Sequence, residues 1–441
     1  MALAFRQANS CGRASSRASL ALAARASGTS LRTVMSAVAF LFTSLPAAAG
    51  PPAHWVVSWG TSPSPPPAAA QIQKRGFQFK NQTLREIIHL SIGGAAIRVR
   101  FSNLFGKQTL QIGSAHLALR ATESSVRARS DRALTFGGLP GIAILPNASV
   151  VSDPVNLAAP AQSDLGISIF LPTSATASAI HYLALQTSYV GSGDQPAALS
   201  ISNPRATNSW IFLAGVDVSA PPTAAAIAAF GDSRADGDGS TADTNQRLPD
   251  AIARRLLHEG LHRGVLNAGI IGNRLLHDSP QDVPELGVSG LSRFDRDALE
   301  QPGVRYVIVF EGIVDIGLPG TPFANASEAV SVEDLAVVMK QLAQRAHDRG
   351  MKIFIATQTP FAGATSILGI YSPEKDGERK AFNEWIRSNR AFDGVIDFDK
   401  AVRDPSHPEA IRAEWDAGDH IHASDAGNAT LAKSIDLSLL K

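Results

Sequence analysis

The sequence predicts an α/β protein: a three-layer α/β/α domain built on a parallel sheet, preceded by an antiparallel, β-sandwich-like domain. Three observations predict it. Ala224 to Phe230 is a run of small apolar residues ending at Gly231-Asp232-Ser233, the pattern of a buried parallel strand whose C-terminal edge turns sharply. Beyond Pro221-Pro222, apolar runs of strand length alternate with stretches of helical period, which calls for crossover connections. Before that pair, short alternating runs are separated by Gly, Pro, Asn or Asp with no clear helical stretch, as in an all-β layer pair.

At 441 residues the chain exceeds one ordinary core, and it divides into a leader (1–49), a β-rich domain (50–220) and an α/β domain (221–441). Met1 to Arg32 is arginine-rich and free of acidic residues, Thr33 to Pro46 is largely apolar, and Ala47-Ala48-Ala49 offers small residues for cleavage. This is the layout of a secretory signal, cut after Ala49, and it implies a secreted or periplasmic protein. An organelle transit peptide shares the Arg- and Ser-rich composition and stays open, as does an initiator methionine placed too far upstream. No later run reaches the roughly 18 apolar residues of a membrane span. Cys11, the single cysteine, falls in the leader, so the mature chain carries no disulfide. With 44% apolar and 18% charged residues and a formal net charge of +1, the composition is globular. It argues against an electrostatic nucleic-acid binder, which needs a clustered basic face.

In the β-rich part, strands are expected at Leu84–Ile92, Ala96–Phe101, Leu165–Leu171 and His181–Tyr189, and Thr61–Ala70, with its prolines, reads as a loop. Trp55, Trp59, Tyr182, Tyr189 and Trp210 suit stacking on a carbohydrate, although core packing is the commoner use of each. In the α/β part the strands are Ala225–Phe230, Val265–Asn267, Tyr306–Phe310, Lys352–Ala356 and Val395–Phe398. Helices fall between them: Leu248–Glu259 with Pro249 in its first turn, Val332–Arg349 before Gly350, Glu378–Ser388, and Ala426–Leu439.

The strand ends of such a sheet meet at one edge, which is where Ser233 sits. A serine hydroxyl is a poor nucleophile alone and needs a base with a carboxylate to orient it. Asp419-His420-Ile421-His422 supplies both near the other end of the chain. Gly-Asp-Ser by itself is more often a turn with a helix cap, so the context decides.

That context resembles the SGNH/GDSL hydrolase family. The GDS block at Gly231 to Ser233 is followed in order by Asn267-Ala268-Gly269-Ile270-Ile271-Gly272-Asn273, by Glu311-Gly312-Ile313-Val314-Asp315-Ile316-Gly317, and by a DxxH block at Asp419 to His422. Ser58-Trp59-Gly60 and Arg98 to Gly106 match segments found in the β-rich part of some GDSL-type hydrolases. The resemblance implies a Ser233–His422–Asp419 triad and an oxyanion hole formed by the backbone N–H groups of Ser233 and Gly272 and by an asparagine amide. At that asparagine position stands Val314, which has no donor. Arg234 could lend charge to the oxyanion, although a solvated place on the following helix is the commoner fate of such a residue. Asn273 could stand in as a donor, or support its own turn. His420 is expected in solvent or behind the site, and Asp232 in the turn.

His258-Glu259-Gly260-Leu261-His262 matches the HExxH zinc string, but Gly260 falls where the helix must stop. No metal is expected, and without a Walker loop or a dinucleotide fingerprint no cofactor either. The function implied is a secreted serine esterase acting on a small-molecule or polysaccharide ester, with acetyl or short acyl groups. The alternative from another class is a silent carbohydrate-binding protein that retains the fold, for which Val314 is the motive.

Overall fold

The alternation of strand and helix after Pro222 folds as a five-stranded parallel sheet in the order Arg263–Gly269, Ala225–Gly231, Val304–Phe310, Lys352–Ala356, Gly394–Ile396. This computed structural model describes residues 53–280, 282–364 and 367–441; the expected leader and Cys11 lie outside the described residues. The second strand in sequence sits at the edge, beside the first, so the order reverses between the Ala225 and Val304 strands. Connections leave this point in opposite directions and open a crevice at the C-terminal strand ends.

Helices cover both faces of the sheet, because side chains alternate along each strand. Ala225 and Ile227 meet Leu248, Ile252, Leu256 and Leu431, whereas Ala226, Ala228 and Phe230 belong to the cluster of Leu335, Met339, Leu342 and Phe382. The helix Val332–His347 starts where the Ser331 hydroxyl accepts the Asp334 N–H, and the chain turns out of it at Gly350, φ +68°. Elsewhere the boundaries differ from expectation. Pro373–Ser388 starts ahead of Glu378, since Ser372 caps it and Pro373 fills its first position. Phe398 is helical, because the Asp397 carboxylate accepts the Lys400 N–H and opens a new helix, Phe398–Val402. The last long helix, Asp425–Ser434, stops short and a 3₁₀ turn at Leu437–Leu440 follows.

Two main antiparallel sheets precede this unit, with Trp55–Gly60, Leu213–Ser219 and Gly94–Ser102 adjacent in one, and Ser188–Ser192, Gln82–His89, Asp164–Leu171 and Ser114–Thr122 adjacent in the other. Both contribute to one core that holds Val57, Val99, Phe101, Leu84, Ile88, Leu117 and Ile167. The expected strand His181–Tyr189 is broken: Ile180–His181 pairs with Trp210–Ile211, Leu185 takes φ +48°, and pairing resumes at Ser188, opposite Thr207. The stretch read as a loop ends in a helix, Ala69–Arg75, closed by Gly76 at φ +67°, since Ala, Gln, Lys and Arg favour that state. Trp59 and Trp210 pack edge to face in the core with ring centroids 4.9 Å apart, and Trp55 lies under the Arg98 guanidinium at 4.7 Å.

The antiparallel part joins the parallel sheet directly. Val57 N–H donates to Pro302 O at 2.9 Å, Val265 N–H donates to Ser91 Oγ at 2.9 Å, and the core around Val57 continues through Leu266 and Ala268. Residues from Ala53 onward thus form one compact unit, in which Pro221-Pro222 marks the change of sheet type.

Candidate active site

Ser233 opens a short helix, Ser233–Asp236, immediately after the strand Ala225–Gly231. The Asp232 carboxylate accepts the Arg234 N–H as its cap, at 3.0 Å. The Ser233 hydroxyl lies 2.8 Å from His422 Nε2, and His422 Nδ1 lies 2.5 Å from Asp419 Oδ2. The other Asp419 oxygen accepts the backbone N–H groups of Ile421 and His422 at 3.2 and 3.0 Å. Those bonds fold the carboxylate back over its own turn, which is how two side chains three residues apart meet at one imidazole edge. Residues distant in sequence are thereby brought together as expected.

The electrostatics follow from burial and hydrogen bonding. Burial would raise the Asp419 pKa, but its bond to His422, the His422 charge and the two backbone donors outweigh this and hold it far below the usual carboxylate range. For His422, burial disfavours the imidazolium; the Asp419 hydrogen bond and the charges of Asp238, Asp419 and Asp232 outweigh it and raise the pKa above the ordinary histidine value.

Gly272 lies in the loop after Arg263–Gly269 with φ +65°, a left-handed backbone that favours glycine, and a Cβ there would press on the Leu286 side chain, 2.8 Å from its Cδ2. Among the described residues, neither the Ser233 nor the Gly272 N–H donates to another protein group. Val314, in the helix Ile313–Gly317, is buried in an apolar cluster with Ile313, Leu318, Phe361, Ile370 and Ile421. Ser233, His422, Gly272 and Val314 all line one cavity of about 500 Å³, whose remaining wall is largely aliphatic: Leu286, Leu318, Ile370 and Ile421. Tyr182 also reaches this cavity.

Two expectations are corrected. Arg234 neither approaches the oxyanion side nor sits in solvent; it is 4% exposed, pairs with Asp232 at 2.7 Å, donates to Gln358 Oε1 at 2.6 Å and lies over the Phe310 ring at 4.2 Å. A guanidinium paired with the capping carboxylate two residues before it, and bonded to Gln358, is held inward rather than turned to solvent. Asn273 is no spare donor, since its amide nitrogen is committed to Leu286 O and Val288 O and its oxygen accepts from Arg293 Nε. His420, at φ +66°, turns away and pairs with Asp416 at 2.6 Å. The helix carrying His258 ends there, Gly260 has φ +69°, and among the described residues no group of three metal-ligating side chains occurs.

Three residues of the framework escaped the sequence reading. Arg293 is fully buried and donates to Gly231 O, Ala268 O and Asn273 Oδ1 at 2.8, 2.7 and 2.7 Å, so one guanidinium ties the strand before Ser233 to the Gly272 loop. Glu311 faces it at 3.5 Å, and burial pushes the Glu311 carboxyl well up against the pull of Arg293. Asp315 accepts the Leu275 and Leu276 N–H groups at 2.7 and 2.9 Å, binding that loop to the Val314 helix. Burial pushes its pKa up to about 6 despite those bonds. Asp315 lies inside a quoted block, so the block was visible although the role was not.

A family model described as GDSL-like Lipase/Acylhydrolase matches residues 227–435. Among solved structures, the chain is similar to a lipolytic protein of the G-D-S-L family from Desulfitobacterium hafniense DCB-2, at 20% identity over 48% of this chain and 97% of that one, TM-score 0.34. It is similar to a lipase/acylhydrolase from Enterococcus faecalis at 20% identity over 48% and 92%, TM-score 0.35. It is also similar to a GDSL-like lipase from Bacteroides thetaiotaomicron at 11% identity over 49% and 88%, TM-score 0.34. No curated protein matches the chain.

Proposed function

We propose, from the match of residues 227–435 to the GDSL-like lipase/acylhydrolase family model, that the chain is a serine esterase cleaving carboxylic esters through an acyl-Ser233 intermediate. The observation that carries the reading is the continuous hydrogen-bonded path from Ser233 Oγ through His422 to Asp419. His422 Nε2 takes the hydroxyl proton as Oγ attacks the carbonyl carbon, then returns it to the departing alcohol. Water, activated by the same nitrogen, attacks the acyl-serine, and the proton returns to Oγ as the acid leaves. Asp419 holds the imidazole tautomer and stays ionised throughout.

The oxyanion falls to the two uncommitted N–H groups of Ser233 and Gly272, with the third place occupied by Val314. Loss of one such donor costs about 100- to 1,000-fold in turnover in comparable sites, so the wild type is expected to be slow. Val314 belongs instead to the aliphatic wall, and that wall favours an aliphatic acyl chain in the cavity. Export is part of the proposal, resting on the leader at 1–49, and N-terminal sequencing of the mature protein tests it.

Hydrolysis of p-nitrophenyl acetate, butyrate and octanoate by the wild type, Ser233→Ala and Val314→Asn tests the reading. The expected result is slow turnover by the wild type, background for Ser233→Ala, and about 100-fold faster acetate turnover by Val314→Asn. All three at background, together with no fluorophosphonate labelling of folded wild type, overturns the esterase and leaves a silent binding protein.

A further inference from the structure

We propose that Asp238 is a positioning residue that strengthens His422 as a base, a second carboxylate set beside the nitrogen that receives the serine proton. This rests on the esterase reading. Asp238 follows the nucleophile's short helix, between Gly237 at φ +107° and Gly239 at φ +87°. A Cβ on Gly239 would stand 2.9 Å from His422 Cβ and 2.7 Å from Ala417 Cβ, so this loop lies flat against the histidine's own. The Gly239 N–H donates to Asp238 Oδ1 at 2.9 Å, leaving Oδ2 at 3.6 Å from His422 Nε2. Asp238 also lines the catalytic cavity.

The surrounding charges isolate this contact. His422 faces Asp419 at Nδ1, and Ser233 and Asp238 at Nε2, with the Asp232 charge further off. Asp232 is paired with Arg234 at 2.7 Å, and Asp236 with His181 at 3.0 Å. Asp238 feels Asp236 and Asp419 as like charges, and among the described residues it has no cation within reach except His422. Burial lifts the Asp238 carboxyl above its ordinary range, against the pull of His422.

A carboxylate near Nε2 gives little to a neutral imidazole, whose lone pair points at the serine hydroxyl. Once the proton has moved from Oγ to Nε2, the imidazolium lies between two carboxylates, and attraction within about 4–6 Å favours that charged form. Asp238 gains no proton in either half-reaction. The same attraction retains the imidazolium in the resting enzyme as pH falls, which removes the acceptor for the serine proton and places the acid limb of activity higher than Asp419 alone would.

The test is a pH titration of the ¹³C-labelled His422 ring by NMR, the signal assigned by its loss in His422→Gln. Asp238→Asn is expected to lower the midpoint by about one pH unit, with the acid limb of kcat/KM for p-nitrophenyl butyrate moving alongside and KM little changed. Asp238→Glu, which keeps the charge, is expected to retain the wild-type midpoint. Should the Asn variant fail to fold, Asp238→Gln against Asp238→Glu offers the same contrast. An unchanged midpoint overturns the inference whether or not the protein hydrolyses esters. A lowered midpoint in a protein that hydrolyses nothing upholds the Asp238–His422 coupling and overturns the esterase reading instead.

Discussion

A polar cluster around Arg85 in the antiparallel part and the polar groups beside the cavity at the edge of the parallel sheet use their hydrogen-bonding capacity in opposite ways. Arg85, inaccessible to solvent, donates to Ser168 Oγ, Ser124 O, Pro196 O and Ala198 O, and Glu86 beside it accepts the Ile211 N–H. Their capacity is spent inside the fold. At the sheet edge the Ser233 and Gly272 N–H groups and the outer oxygen of Asp238 have no hydrogen-bond partner among the described residues, and all three residues border one cavity. Satisfied polar networks rigidify a core; groups with capacity left over beside a cavity are positioned for a ligand.

Substitutions can break this contrast. Ser233→Ala is expected to abolish esterase turnover, by about 10⁴-fold or more, with no change in melting temperature; a comparable fall in stability would place Ser233 among the structural groups. Asp419→Asn should cost about 10⁴-fold in kcat through loss of the imidazole tautomer, measured on the same substrates. Arg85→Leu should do the reverse. It is expected to destabilise by about 3–5 kcal/mol, since carbonyls built to face a cation lose it, while the folded fraction retains wild-type kcat; urea unfolding paired with active-site titration separates the two effects.

Smaller effects sharpen the boundary between the classes. Asp315→Asn keeps the shape but offers a single acceptor oxygen to two N–H groups, so the Gly272 loop loosens. A roughly tenfold fall in kcat with KM unchanged is expected, since misplacing a donor costs rate before binding. Activity should also fall as the solution is acidified. The raised His422 pKa means that protonation, and with it loss of the base, begins above the ordinary histidine range, and kcat/KM profiles should show one proton lost on the acid limb. His420→Ala, outside the cavity, should alter kcat less than twofold, because its ring faces Asp416.

The site was legible where chemistry constrains residue type at fixed spacing. Ser233, Asp419 and His422 could be named as candidates because a nucleophile, a base and an orienting carboxylate admit few residue types, and Gly272 only through the resemblance of its block to the family's. Arg293 was not legible: an arginine in a helical stretch carries no sign that its guanidinium will run through the core to collect two strand carbonyls and the Asn273 side-chain oxygen of a loop. Arg234 was misjudged for the same reason, its direction being set by Asp232 and Gln358. Strand positions in the parallel sheet could be read because burial on both faces demands continuous apolar runs. The break inside His181–Tyr189 could not, since Leu185 at φ +48° leaves no trace in composition.

By itself the sequence determined the α/β class, the order of the parallel strands' elements along the chain and the candidate residues of the site, because periodicity and side-chain chemistry are local properties. Only the tertiary structure decided that the antiparallel part shares a core with the parallel sheet, that Val314 lines an aliphatic wall, and that Asp238 stands 3.6 Å from His422 Nε2. Those are relations between residues remote in sequence or turned by a loop, and burial and distance are settled only when the layers pack.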